Sequence, residues 1–355
     1  MKNICFLIGN LNYSGGTERV TSLIANELIK TGFNVSILSF FEGEQPFFKL
    51  DNDIRVYNIF PSKVSFKKNY FITVLKIRRF IKINKIHSLV LVDSNSYIFT
   101  LPALTGLKTK QICWEHFNFK YNLGKPSRDI ARKLAARYCD LVVTLTKKDK
   151  ISWLDNTKHK NQIISIPNPS PFSIKNSPIC TNHKTVLAVG RLAHQKGFDL
   201  LLLAWKKVSL ANPDWHLIIV GEGEKRYELE NFIVNNQLSS SVTLIGNTND
   251  VSKYYEKADI FCLSSRFEGF GMVLVEALSF GLPIVSFDCE SGPSEILEGT
   301  RSILVPPEDV DKLAFSLIEL INSEARRLSI SSDNIKKAQQ YQLSNIINEW
   351  NKCLS

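Results

Sequence analysis

Apolar positions along the chain fall into two alternating periods. Short unbroken apolar runs give way to longer stretches in which apolar residues recur every three or four positions. The run KNICFLI (2–8) reads as a buried strand, followed by a glycine-containing loop and an amphipathic helix over about 17–30. Thr17 is the expected N-cap and Gly32 the stop. Further strands are expected at 34–40, 53–59, 88–92, 110–114 and 141–145, with helices near 67–85, 127–138 and 147–154. The proline-rich stretch IPNPSPFSIKNSPICTNHK (166–184) carries no period and marks a linker. A second series then begins, with strands at 185–189, 215–220, 242–245, 260–263 and 284–287. Helices near 197–210, 224–235, 250–257, 272–280 and 310–321 alternate with them.

Alternation of this kind specifies βαβ units and parallel sheets. The expected fold class is therefore α/β, with two doubly wound halves on either side of the linker: 1–168 and 169–340, and a C-terminal helix over about 341–355 able to pack back on the first. Two such halves leave a cleft between them. Ligands of open α/β sheets sit at the C-terminal strand ends, so the loops there are where chemistry is to be sought.

Composition narrows the function classes. With 44% hydrophobic and 22% charged residues in 355, the chain is neither disordered nor a disulfide scaffold. Its seven cysteines are spread without a CxxC pair, which reads as reduced thiols of a cytosolic protein. The start, MKNICFLIGN, has too short an apolar stretch for a signal peptide, and no run is long enough to span a membrane. Charge is divided unevenly. Residues 1–170 hold 26 Lys and Arg against 12 Asp and Glu, a net of +14, whereas 171–355 hold 18 against 22, a net of −4. A basic half suits nucleic acid, an anionic membrane surface or a phosphorylated substrate.

Three loops that follow strands carry the residue types an anionic ligand needs. In GNLNYSGGTERV (9–20), Gly15 and Gly16 let backbone amides approach a phosphate or sugar at the positive end of a helix, although paired glycines also serve as plain turn residues. The loop is not a GxGxxG fingerprint. In VGRLAHQKGF (189–198), glycines bracket Arg191 and Lys196, and two cations there can neutralise a diphosphate and stabilise it as a leaving group. In SSRFEGFGMVLVE (264–276), Glu268 ends the loop and Gly269-Phe270-Gly271 opens a helix that carries Glu276. One carboxylate suits sugar hydroxyls; the other suits a ribose diol.

Together Gly15-Gly16, Arg191 with Lys196, and EGFGMVLVE resemble the retaining, nucleotide-sugar-dependent glycosyltransferases of family 4, and within them the bacterial surface-polysaccharide subgroup. PDWHLIIVGEG (213–223), IPNP (166–169), GLP (281–283) and SGPSEI (291–296) support the likeness, which covers most of the chain. It implies the GT-B fold, an acceptor-side first domain and a nucleotide-sugar-binding second domain. Arg191 and Lys196 hold the donor diphosphate, Glu276 the ribose and Glu268 the transferred sugar. Gly269 and the amides of Phe270 and Gly271 position the sugar and phosphate, and Gly16 closes the phosphate site from the first domain. The family's active-site histidine corresponds to His116 in CWEH (113–116), with His194 as its rival and Glu115 as a second polar candidate. Glu295 is equally readable as a helix-capping or a sugar-side residue.

The implied reaction moves a hexose or N-acetylhexosamine from a UDP-sugar to a saccharide linked to polyisoprenyl diphosphate, for O-antigen, capsule or exopolysaccharide. The implied place is cytoplasmic, peripheral on the inner face of the cytoplasmic membrane. No metal and no other cofactor is expected, because no DxD-type motif sits in a suitable loop and two cations do a divalent ion's work. The segment 67–85 places Tyr70, Val74, Ile77 and Ile81 on one face, with Lys68, Lys76, Arg78, Arg79, Lys82 and Lys85 opposite. Phe71, Ile72, Leu75 and Ile83 intrude among those cations. That face suits an anionic membrane, or else a helix packed on its own sheet with solvated lysines. Two other readings compete. A GT-B epimerase or hydrolase is disfavoured by the paired glutamates with Arg and Lys. A basic nucleic-acid-binding protein is disfavoured by the absence of a recognisable binding module.

Overall fold

Strands that are apolar at every position must be covered on both faces, which is the condition of a parallel sheet between helices. The computed structural model, which describes residues 1–122, 124–175 and 182–355, shows this twice. The middle of the 166–184 linker and Cys180 lie outside the described residues; the other six cysteines are free thiols.

One unit comprises Met1–Pro169 and Leu343–Ser355. It runs β1 (Asn3–Ile8), α1 (Gly16–Lys30), β2 (Asn34–Phe41), β3 (Arg55–Phe60), α2 (Tyr70–Ile83), β4 (Ser88–Leu91) and α3 (Tyr97–Leu104). Then follow β5 (Lys110–Trp114), α4 (Pro126–Tyr138), β6 (Leu141–Thr144), α5 (Lys147–Asn156) and β7 (Gln162–Ser165). The seven strands lie in the order β3-β2-β1-β4-β5-β6-β7, all parallel. The order reverses between β1 and β4, where Ile4 pairs with Ser88.

The other unit is Ser170–Gln342. Its elements are β8 (Thr185–Val189), α6 (Phe198–Ala211), β9 (His216–Val220), α7 (Arg226–Asn235), β10 (Val242–Gly246), α8 (Ser252–Lys257) and β11 (Ile260–Leu263). They continue with α9 (Met272–Ser279), β12 (Ile284–Phe287), α10 (Pro293–Ile296), β13 (Ile303–Val305), α11 (Val310–Ile321) and α12 (Glu324–Ala338). Strand order is β10-β9-β8-β11-β12-β13, again parallel, with the reversal between β8 and β11. Each unit has its own core: Leu7, Leu91, Tyr97 and Trp153 in the first, Trp205, Leu217, Phe287 and Leu317 in the second.

Several elements depart from the sequence pattern for local reasons. Helix α1 starts at Gly16 with Gly15 as its extended N-cap and no side-chain cap, so Thr17 lies inside the helix, where its carbonyl accepts from the Thr21 hydroxyl. Helix α3, YIFTLPAL, is apolar on most sides and holds Pro102, so it shows no helical period. In α12 the inward positions include Arg327, Ser331 and Asn334. Arg327 donates to the carbonyls of Leu320 and Ile321, both at 2.7 Å, and Asn334 to that of Leu282 at 2.7 Å. Polar side chains that satisfy neighbouring backbone here stand where a hydrophobic stripe is normally read.

Helix α2 buries Ile77 and Ile81, with Tyr70 and Val74 partly covered. Two of its cations turn inward: Arg78 donates to the carbonyls of Ala103 and Thr105, and Lys76 to that of Ile59. Lys68, Arg79, Lys82 and Lys85 stay exposed beside Phe71 (78% exposed), Leu75 (65%) and Ile83 (65%).

The C-terminal helix, Leu343–Leu354, covers the first unit with Ile346, Ile347, Trp350 and Leu354. Trp350 meets Trp114 edge to face at 4.9 Å between ring centres, and Lys110 Nζ donates to the Cys353 carbonyl at 2.8 Å. Trp350 is fully buried, so Trp350→Ala leaves a cavity and should lower the stability of this unit by about 3–5 kcal/mol, read by urea denaturation.

Candidate active site

The strand reversal in the second unit separates the loops after β8 and β11, and a crevice at such a point is where open α/β sheets bind ligands. Those two loops carry Lys196 and Glu268. The Lys196 ammonium donates to Glu268 Oε1 at 2.7 Å, with the two side chains 18% and 6% exposed. The buried Ser265 hydroxyl donates to the same oxygen at 2.6 Å. Backbone stitching fixes this register. Arg266 N donates to the Gln195 carbonyl at 2.8 Å, Gln195 Nε2 to the Phe267 carbonyl at 2.9 Å, and Ser264 Oγ to the Lys196 carbonyl at 2.9 Å. Arg266 also holds Asp199 with two parallel bonds at 2.8 and 2.6 Å. Gly197 adopts φ +62°, and a Cβ there would lie 2.0 Å from the Ser264 carbonyl oxygen, so only glycine lets the loops close this far.

Arg191 is not part of that contact. Its side chain is 72% exposed and its guanidinium pairs with Glu224 at 3.0 Å. The expected pair of cations is thus one half-sheltered ammonium and one solvent-facing guanidinium.

Beyond Glu268, the segment Gly269-Phe270-Gly271 turns into α9. Gly271 is its N-cap at φ +98°, and the buried Phe270 packs edge-on against Tyr341. Gly292 sits so close that a Cβ on it would lie 1.9 Å from the Phe270 carbonyl oxygen. Glu276 lies on α9, 4% exposed, and accepts from the Tyr255 hydroxyl at 2.8 Å. Cys289, two residues past the end of β12, is a buried neutral thiol, pushed up to about 12 by burial and by the Glu268 charge. Sequence reasoning passed over Ser265, Tyr255, Cys289 and the Asp199–Arg266 pair. Only Ser265 and Arg266 were within reach, as neighbours of Glu268 in its loop.

In the first unit, Gly15 and Gly16 are exposed at the start of α1, and the Glu18 carboxylate lies against Gly15. His116 follows β5. It is 8% exposed, rests on Trp114 at 4.3 Å between ring centres, and its Nε2 has no partner among the described residues. Burial pulls its pKa down to about 3, so the imidazole is neutral at physiological pH. Glu115, by contrast, is committed: it accepts from Arg132 Nε at 3.1 Å, from Ser94 Oγ at 2.5 Å and from Phe117 N at 3.1 Å. His194 is exposed, at the edge of the second unit's loop.

The sequence did not single out the buried ionic cluster around Glu115. Arg128 pairs with Asp93 at 2.9 Å, Arg132 with Glu115, and Asp149 accepts from Phe119 N at 2.7 Å. Burial and the Glu115 charge push Asp93 up to about 6, and burial pushes Asp149 up to about 7. Among the described residues no cluster of three or more His, Cys, Asp or Glu is placed to hold a metal ion.

Known proteins share this organisation. Residues 14–170 match the family model described as Glycosyltransferase Family 4, and residues 170–339 the model described as Glycosyl transferases group 1. An uncharacterized glycosyltransferase of Haemophilus influenzae is 38% identical, with 99% of each chain covered. The amylovoran biosynthesis glycosyltransferase AmsD of Erwinia amylovora is 30% identical over all of both chains. Also 30% identical, over 100% of this chain and 99% of the relative, is a Campylobacter jejuni enzyme. It is named GalNAc-alpha-(1->4)-GalNAc-alpha-(1->3)-diNAcBac-PP-undecaprenol alpha-1,4-N-acetyl-D-galactosaminyltransferase. Among solved structures, S. aureus TarM in complex with Fondaparinux, alpha-GlcNAc-glycerol and UDP superposes with a TM-score of 0.85 at 16% identity, covering 100% of both chains. That likeness is one of fold, and it is the GT-B fold expected from the sequence.

The Asp149 carboxyl gives a pH test of the cluster. Its folded pKa is raised from 3.8 to about 7, so the folded state holds the proton more tightly and this contribution to stability is lost as pH rises between those values. Asp149→Asn cannot ionise. Relative to the native protein it should gain stability by up to about 1.4 kcal/mol per pH unit across that window and no further above it, measured by urea denaturation at a series of pH values.

Proposed function

Because the chain belongs to glycosyltransferase family 4, we propose that it transfers a hexose or N-acetylhexosamine from UDP to a lipid-linked saccharide, with retention of anomeric configuration, in bacterial surface-polysaccharide synthesis. The observation that carries the reading is the Lys196–Glu268 contact at the strand reversal of the second unit. The PP-undecaprenol saccharide in the Campylobacter relative's name, the amylovoran in the Erwinia relative's, and the UDP held by the S. aureus neighbour all support it.

In this reading the donor diphosphate takes the Lys196 ammonium, and Arg191 exchanges the solvent-screened Glu224 for the same ligand. Negative charge that develops on the leaving diphosphate is met by these cations and by the amides of Phe270 and Gly271 at the start of α9. Glu276 accepts from the ribose hydroxyls, and Glu268 from the transferred sugar. Glu268 Oε1 already accepts from two donors, which fixes the carboxylate in place and suits it to orient the sugar rather than to attack carbon. Transfer then proceeds on one face of the sugar, with the departing diphosphate taking the acceptor hydroxyl's proton. The first unit contributes the Gly15 and Gly16 amides and His116. An imidazole that charges only near pH 3 does not accept protons at neutral pH, but its buried, unpartnered Nε2 leaves a hydrogen bond for a sugar hydroxyl that reaches it. No divalent ion is needed for this charge balance.

Lys196→Met and Glu268→Gln should each lower turnover by about 10²–10³ with UDP-sugars and lipid-diphosphate-linked saccharides, while the variants keep their fold. In the same assay, excess chelator should leave the rate unchanged. Near-native turnover in either variant would remove the assigned roles, and an absolute need for a divalent ion would remove the metal-free mechanism.

A lipid-linked acceptor brings the enzyme to a membrane, although no described helix is long and apolar enough to cross one. The outward face of α2, with Phe71, Ile72, Leu75 and Ile83 among Arg79, Lys82 and Lys85, suits peripheral docking on anionic lipid. The protein should float with phosphatidylglycerol-containing vesicles and not with neutral ones, and Phe71→Asp with Leu75→Asp should abolish flotation. Equal recovery with both vesicle types would count against this face.

A further inference from the structure

The geometry points to Arg132 as a positioning residue for the reaction: its guanidinium fixes the irregular segment 115–121 and so sets where the His116 imidazole stands. This rests on the reading of His116 given above.

His116 makes no hydrogen bond at Nε2 among the described residues, and its buried ring packs on Trp114. The residues after it, from Phe117 to Tyr121, form no helix or strand, so their carbonyls need partners from elsewhere. Four of the five meet one side chain. Arg132, on α4 and fully buried, donates through Nη1 to the Phe119 carbonyl and through Nη2 to that of Asn118 at 3.0 Å, with Tyr121 and Phe117 carbonyls at 3.3 and 3.4 Å. Its Nε takes Glu115, the residue before the histidine, at 3.1 Å, and Glu115 reaches over the histidine to accept from Phe117 N. Both neighbours of His116 are therefore tied to one planar guanidinium, a fork geometry that lysine's single ammonium does not reproduce. The clamp extends to the loop after β4 through the Ser94 hydroxyl on Glu115.

Two readouts separate positioning from mere support of the fold. Histidine-labelled protein, with the His116 signal identified by its loss in His116→Gln, reports the ring directly. In the native protein the ring should stay neutral across about pH 5–8. The double variant Arg132→Met with Glu115→Gln removes both charges of the pair at once, so neither is left facing an empty site, and Arg128 keeps Asp93. In it the ring should gain access to water and titrate within that window, and turnover should fall by about ten- to a hundredfold while the donor KM stays within about twofold. Arg132→Lys should show the same defect. A ring that still does not titrate, or turnover within about twofold of native in the double variant, would overturn the proposal. So would loss of turnover and donor binding together with a collapsed melting transition. Native turnover in His116→Gln would instead overturn the role of the histidine, which the ring titration distinguishes from a failed clamp.

Discussion

An ammonium lodged 2.7 Å from a buried carboxylate, across the reversal of strand order, is the constraint around which the second unit is arranged. Sheltered ion pairs add little stability on balance, because desolvation consumes most of the attraction, whereas removing one partner costs about 3–5 kcal/mol. Such a pair is therefore weakly explained by folding and well explained by a ligand that takes one partner over. The surroundings fit that view. Ser265 holds the carboxylate, Gly197 lets the two loops meet, and the Asp199–Arg266 fork lies behind them, so Lys196 and Glu268 are the ends of a braced frame.

The first unit solves a different problem. There the charges face inward: two carboxylates and two guanidiniums are buried together, with the partly exposed Asp93 beside them, beneath a loop without regular structure. Raised pKa values at Asp93 and Asp149 mean that near neutrality the cluster does not carry its full negative charge, which brings it closer to balance with Arg128 and Arg132. One unit thus sets its cation against a carboxylate in a braced loop, and the other uses a guanidinium to hold backbone.

What the residues revealed in advance follows from these roles. Strand and helix alternation was legible because parallel strands are apolar throughout, and the loops with Lys196 and Glu268 were legible because glycines flank them. Helix α12 was hidden by Arg327 and Asn334, polar residues at core-facing positions, and β13 by having three residues. Tyr255 and Arg132 left no signal, since each acts on a partner distant in sequence and neither stands beside a glycine or in a repeated spacing. Arg191 was legible as a cation, but its outward orientation toward Glu224 depends on tertiary placement that spacing does not encode.

The return of the helix Leu343–Leu354 to the first unit makes the polypeptide cross between units at Pro169 and again at Gln342. During synthesis the entire second unit is made before Trp350 exists to cover Trp114. Until then the nascent first unit lacks the part of its cover that Trp350 supplies. For the same reason one proteolytic nick at the linker would not release an intact amino-terminal fragment, because part of its core travels with the other piece.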